Sequence, residues 1–358
     1  MTLDDLQAIA RLDPDNMLRR IEELPDQCLE AWKQAQGLTL PPEYSLVNQL
    51  VIVGMGGSAI GGALLEGLVQ GECAVPISIV RGYDLPASAR GPDVLVLGCS
   101  YSGNTDETLS CFQQALERRT RALALTTGGK LASLARETGV PLVQFAYRSQ
   151  PRAALGYSFV LLLGIAHQLG LVEDCTNHIN QAVAAMRAWQ DRINPRIPAA
   201  ENDAKGLAEQ IAGSLPVVFG AGFLGAAANR WKTQFNENAK HWAFFEVLPE
   251  LNHNAVVGFG IPKAVRKRCI VLMLRSQLDS QPIQNRWEAT RELLDREGVT
   301  VREIHARGDG ALAQMLSLIH FGDYVSFYLA MLNEVDPTPV QPIALLKQRL
   351  GELGKVSD

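Results

Sequence analysis

Short apolar runs alternate with helical patterns along this chain, and that alternation restricts the fold more than any other feature. Leu50–Val53, Pro76–Val80, Val94–Leu97, Arg121–Thr126 and Pro141–Phe145 read as strands, with helical segments between most of them. Continuous apolar runs of this kind suit strands buried on both faces. The order predicts an α/β fold, a parallel sheet covered by helices on both faces. The series then starts again. Leu215–Phe219, Cys269–Leu274 and Val299–Ile304 echo the first set, so two copies of one α/β unit are implied.

The 358 residues suit about two domains of ~150 residues. Residues 1–45 read as a helical arm that packs over the first domain, punctuated by Pro25 and the prolines after Leu40. The first α/β domain takes residues 46–195 and the second 201–335, joined by the proline-marked stretch Asn194–Ala200. Residues 282–297 and Ala311–Leu332 are read as amphipathic helices. A tail over 336–358 approaches a last helix through Pro337, Pro339 and Pro342.

Charged residues make up 20% of the chain and the net charge is −5, so no nucleic-acid surface is advertised. The N-terminus is acidic and lacks the form of a signal peptide. The longest apolar run, near Ser158–Ala166, is too short to span a bilayer. The six cysteines form no CxxC pair and no zinc-like spacing with histidine, which predicts reduced thiols, a cytoplasmic location and no metal.

Chemistry concentrates around Val94–Leu109. An apolar strand breaks into Ser100, Tyr101, Ser102, Gly103, Asn104 and Thr105, and a helical pattern follows. Hydroxyls between a strand end and a helix start can cap the helix. They can also cradle an anion on free amides at the positive helix end. Several of them beside a glycine favour a phosphate cradle. A second glycine loop, Gly54–Gly62, adds Ser58 at a helix start. Both loops follow strand ends and could face one crevice. Arg152 opens a long apolar helix, an end where positive charge is unfavourable unless an anion sits there, although a solvated surface arginine is the plainer reading.

Further along, Glu237 lies between Asn236 and Asn238, and His253 between Asn252 and Asn254. A carboxylate and an imidazole near a phosphate cradle suit general acid/base chemistry. Read by pattern alone, Gly220–Gly225 fits G-x-G-x-x-G, with Glu246 near the end of the next strand. That supports a rival reading, an oxidoreductase with a nicotinamide cofactor.

Taken together these segments resemble the sugar isomerase (SIS) family, and more closely the bifunctional phosphoglucose/phosphomannose isomerases. Gly54–Ser58, Ser100–Thr105, Pro151–Tyr157, Asn236–Lys240, Leu251–Asn254 and Asp336–Pro339 follow that pattern in order, over nearly the whole chain. The resemblance implies two flavodoxin-like SIS domains in a homodimer. It implies a hexose 6-phosphate held by Ser58, Ser100, Ser102 and Thr105 with the Gly57 amide. It implies Glu237 as the base that moves a proton between C1 and C2 through an enediol, and Arg152 holding the enediolate oxygens. His253, reaching in from the partner subunit, would open the ring with help from Lys347. Thr338 would lie near the end of the substrate that decides epimer tolerance. No metal and no cofactor are implied. A third reading, a sugar-phosphate sensor on SIS domains, would need the cradle but neither Glu237 nor His253.

Overall fold

The computed structural model describes residues 2–354. The chain begins with three helices, α1 (Leu6–Leu12), α2 (Met17–Glu22) and α3 (Leu24–Gln36). A first α/β series follows: β1 (Gln49–Val53), α4 (Gly56–Val69), β2 (Ile77–Val80), β3 (Val94–Ser100), α5 (Asp106–Glu117), β4 (Arg121–Thr126), α6 (Gly129–Thr138) and β5 (Leu142–Gln144). Helices α7 (Leu155–Gln168), α8 (Thr176–Ile193) and α9 (Asp203–Ile211) lead to the second series. That series is β6 (Leu215–Ala221), α10 (Gly225–Glu237), β7 (Phe244–Leu248), α11 (Lys263–Arg266), β8 (Cys269–Arg275), α12 (Gln281–Glu297) and β9 (Thr300–His305). Helices α13 (Ala311–Leu332) and α14 (Gln341–Gly354) end the described chain.

Both sheets are wholly parallel, as the alternation predicts. The first has five strands in the order β2-β1-β3-β4-β5, and the second has four in the order β7-β6-β8-β9. Every residue of β3 is buried, because helices cover both sides of this central strand. The edge strand β2 is only half-buried throughout. In each sheet the order reverses beside the first strand of its series. In the first sheet that places the loops after β1 and β3 next to each other at the carboxyl ends, the usual place for a ligand in such a sheet.

The arm joins more than one part of the molecule. Helix α3 packs against α7 and α8, while α2 touches α13. The His320 imidazole on α13 donates from Nε2 to the carbonyl of Ile21 on α2, at 3.0 Å.

Helix α13 departs from the sequence reading. Its 22 residues are not amphipathic in place, since every residue from Leu312 to Met331 is buried, under α2, α8, α9 and α10. It is also apolar and long enough to cross a membrane, which the run near Ser158–Ala166 led the sequence reading to miss, yet 94% of its apolar window is buried inside the protein. The misleading signal is a polar row at three-residue spacing: Gln314, Ser317, His320, Asp323 and Ser326. Each member of the row finds its own partner. Gln314 meets Ser276, Ser317 donates to the Arg307 carbonyl, His320 meets Ile21, Asp323 pairs with Arg230, and Ser326 accepts from Asn238. A buried polar group without such a bond would cost about 1–3 kcal/mol, so the row is tolerated because each member is bonded, His320 through Nε2 while its Nδ1 has no partner.

Candidate active site

The two loops at the reversal point meet. Ser58 sits in the first turn of α4, and its Oγ accepts from the Tyr101 amide at 3.3 Å. Ser100, the last residue of β3, shares a 2.8 Å hydrogen bond with the Thr105 hydroxyl and accepts from the Gly103 amide at 3.0 Å. Ser102 accepts from the Asn104 amide at 3.2 Å and stands exposed on the same turn. Gly103 makes that turn with φ 67°, and a Cβ there would stand 1.8 Å from the Gly128 carbonyl oxygen, so only glycine fits. The hydroxyls thus bond within and between their loops, and none caps a helix as the plainer reading expected: neither α4 nor α5 has a side-chain cap. They also cluster where amides at a helix start lack an intrahelical acceptor. Between the two helix starts, α4 is the better anion site: α5 already carries Asp106 and Glu107 in its first turn, while α4 carries no acidic residue there.

Gly57, the second residue of α4, connects this cluster to Arg152. A Cβ at Gly57 would lie 3.1 Å from the Pro151 carbonyl oxygen, so the bare glycine lets the Pro151–Ala153 turn close onto α4. Arg152 therefore lies in a separate turn ahead of α7, which starts at Leu155, and not in the first turn of that helix. It is no surface arginine either, being only 3% exposed. Its Nε donates to Asn238 Oδ1 at 2.7 Å and its Nη1 to Glu237 Oε2 at 3.3 Å. Its Nη2 donates to the carbonyls of Pro337 at 2.7 Å and Thr338 at 2.9 Å. Burial pushes the Arg152 guanidinium below its ordinary pKa; Glu237 beside it works the other way, and Arg230 adds to the lowering.

Glu237 ends α10 and keeps a partly open carboxylate, with 29% of its side chain exposed. It lines a cavity of about 390 Å³ with Lys240, Trp242 and Val340. Behind it Asn238 bridges Arg152 to Ser326, and Ser326 donates to the Asp323 carbonyl. Above it runs the strap Asp336–Pro339. Thr338 is buried there, with its amide on Asp336 Oδ1 at 2.8 Å and its hydroxyl without a hydrogen-bond partner.

The structure therefore joins Glu237, Arg152 and Thr338, and links them through Gly57 to Ser58, Ser100, Ser102 and Thr105. It does not bring in His253 or Lys347. His253 is exposed on the Glu250–His253 turn, and Lys347 is exposed on α14. Among the described residues no hydrogen bond or ion pair ties either to Glu237 or Arg152. Asn238, the Pro337 carbonyl and Lys240 belong to the site but carry no role in the sequence reading. Lys240 had no signal to give, because the groups it meets are main-chain carbonyls.

The dinucleotide-like loop has a structural use instead. Its Gly222–Leu224 turn packs on α4, where Phe223 lies 3.5 Å from the position of a Cβ on Gly67. Glu246 falls in the middle of β7, not at its carboxyl end, and lines an apolar cavity with Phe219 and Phe259. Among the described residues no group of His, Cys, Asp and Glu side chains gathers as a metal site would.

Comparison with known proteins decides between the readings. The family model for the "Bacterial phospho-glucose isomerase C-terminal SIS domain" matches residues 200–350. A bifunctional phosphoglucose/phosphomannose isomerase of Caldicellulosiruptor bescii is 39% identical over 338 residues, covering 94% of this chain and 99% of its own. The chain belongs to the bifunctional phosphoglucose/phosphomannose isomerase family. Solved structures agree on the SIS fold. A hypothetical protein of Thermus thermophilus superposes with a TM-score of 0.74 at 17% identity, over 97% of this chain and 93% of its own. The C-terminal domain of glucosamine-fructose-6-phosphate aminotransferase from Francisella tularensis does so at 0.70 and 15%, over 90% and 98%. Membership of the isomerase family leaves no place for the nicotinamide oxidoreductase reading.

Proposed function

We infer that this protein interconverts glucose 6-phosphate and mannose 6-phosphate with fructose 6-phosphate, the activity its family is named for. The observation that carries the reading is the half-open Glu237 carboxylate, set against Arg152 and one glycine contact away from the hydroxyl cluster. Ser58, Ser100, Ser102, Thr105 and the Gly57 amide take the phosphate, giving up bonds they make to their own loop. Glu237 then removes the proton from C2 of the open sugar and returns it to C1 through a cis-enediol. A guanidinium has five N–H groups. Arg152 commits four of them within the protein, which leaves one Nη1 N–H for the enediolate oxygens. Thr338, with its unpartnered buried hydroxyl, meets the sugar at the reacting end.

Ring opening needs an acid/base at the ring oxygen, and His253 is the candidate, with Lys347 assisting. Both are exposed, so the reading places them in the site of a second copy in a homodimer. Apolar side chains stand exposed on both of their segments and beside Glu237. Val257 is 87% exposed and Ile261 79% exposed on the segment after His253, and Trp242 is 71% exposed beside Phe244. Helix α14 presents Ile343, Leu346 and Leu350 on one face, all exposed. Apolar groups this exposed suit an interface between copies. The six thiols, none in a disulfide, suit a cytoplasmic setting.

A coupled assay on fructose 6-phosphate with chelator present tests the reading, and turnover to both aldose phosphates is the expected result. Glu237→Gln should lower turnover by about 10²–10⁴ while sugar phosphate still binds. Full activity in that variant would sink the assignment of the base.

A further inference from the structure

Residue 240 follows the end of α10 in a left-handed backbone conformation, φ 52°. Glycine is usual just past a helix end in that conformation, and for a residue with a side chain it costs about 1–2 kcal/mol. Yet the residue is a lysine. Its Nζ donates to the Glu237 carbonyl at 2.8 Å, the Asn238 carbonyl at 3.4 Å and the Pro337 carbonyl at 2.9 Å. The first two bonds are those of any lysine closing a helix end. The third is different, because it spans 97 residues of sequence and lands on the oxygen that Arg152 Nη2 also holds. One carbonyl thus takes two cationic donors, each of which also bonds Glu237.

The strap has few other anchors. Arg152 and the Asp336–Thr338 bond hold it from within, and α14 beyond it is exposed along its described length. We propose that Lys240 is a positioning residue, which fastens the Asp336–Pro339 strap over the Glu237–Arg152 pair and so fixes where the Thr338 hydroxyl meets the sugar. This rests on the isomerase reading of the same site. The surroundings of Lys240 fit the role. Burial and the Arg152 charge press its pKa down to about 8, while Asp336 and Glu237 hold it up. It touches none of the cradle hydroxyls and belongs to no hydrophobic core, so its removal leaves the cores intact.

The test compares Lys240→Met and Lys240→Arg in the full chain. Hydrogen exchange followed by mass spectrometry reads the strap directly. In Lys240→Met the peptide over residues 334–340 should exchange faster, with peptides from β6 and β3 unchanged. Turnover should fall by about 10–100-fold, as a misplaced group predicts, and the ratio between glucose 6-phosphate and mannose 6-phosphate should shift. The Michaelis constant should stay within about twofold, since phosphate binding lies on the other loops. Lys240→Arg should restore both exchange and turnover in large part. Unchanged strap exchange in Lys240→Met would overturn the proposal. So would a loss of turnover that tracks faster exchange throughout the molecule. If the unmutated protein turns over no hexose phosphate, the isomerase reading fails, and strap exchange still decides whether the tether exists.

Discussion

At the scale of single residues, the site is defined by how its donors are already committed. Ser100 and Thr105 bond each other in the free protein, so under the proposed cradle a phosphate would replace that bond with charged ones. Each charge-assisted bond is worth about 1.5–3 kcal/mol. The Ser100→Ala, Thr105→Ala double variant should therefore raise the Michaelis constant for hexose phosphate at least about tenfold. An unchanged constant in steady-state kinetics would remove the cradle from these residues. Arg152 offers a second measurement. Lysine presents a compact point charge and no planar fork, so it cannot serve Asn238, Glu237 and two carbonyls together. Arg152→Lys should lower both turnover and the melting temperature, the latter reflecting about 2 kcal/mol or more of lost bonding. Calorimetry checks the second part. A fully stable variant would show that the guanidinium is not a structural fork.

At the scale of elements, the strands were readable and the central helix was not. Runs such as Val94–Leu97 and Arg121–Thr126 have no solvent face, and nothing but a covered parallel strand accommodates them. Helix α13 misled because a polar residue at every third position looks like a wet face. Only the fold reveals that α2, α10 with its C-terminal end, and the loops after β8 and β9 bring a separate partner to each. Arg152 was misplaced for a related reason: its burial depends on a carboxylate 85 residues away and on carbonyls 185 and 186 residues away. No local pattern encodes that.

His320 turns the polar row of α13 into a pH prediction. Its imidazole is buried, and burial lowers its pKa from 6.5 to about 4. The folded state thus resists a proton that the unfolded chain accepts. Stability should be intact above pH ~6.5 and should fall as the pH drops toward ~4, by up to about 3 kcal/mol from this group. Urea melts of the unmutated protein and of His320→Gln between those limits would check it. The variant, whatever its own stability, should lose less over that pH range. An equal slope would clear His320 of the effect.

At the scale of the whole molecule, two copies of one unit have diverged in use. The first keeps hydroxyls at its reversal point. In the second, the corresponding glycine loop is packed on α4, and α10 delivers Glu237 at its far end. The sequence displayed that difference, because Ser100–Thr105 has no counterpart in Arg275–Ser280. It did not display which groups come from a second copy. If His253 acts across an interface, mixing Glu237→Gln chains with His253→Ala chains should regenerate some intact sites. Co-expressed, verified heterodimers with no activity would rule out a shared site.

The convergence on Arg152 also bears on how the molecule comes into being. Its fork closes three distant stretches of chain at once, and contacts of such long sequence separation form late, after the entropy of the intervening loops has been overcome. Each sheet can assemble from nearer neighbours, strand by helix by strand. A refolding chain should therefore regain its circular dichroism before it regains turnover, with the Glu237 carboxylate unsupported in the interval. Enzymatic activity would then time the last event of folding, the moment at which the Asp336–Pro339 strap is drawn onto Arg152.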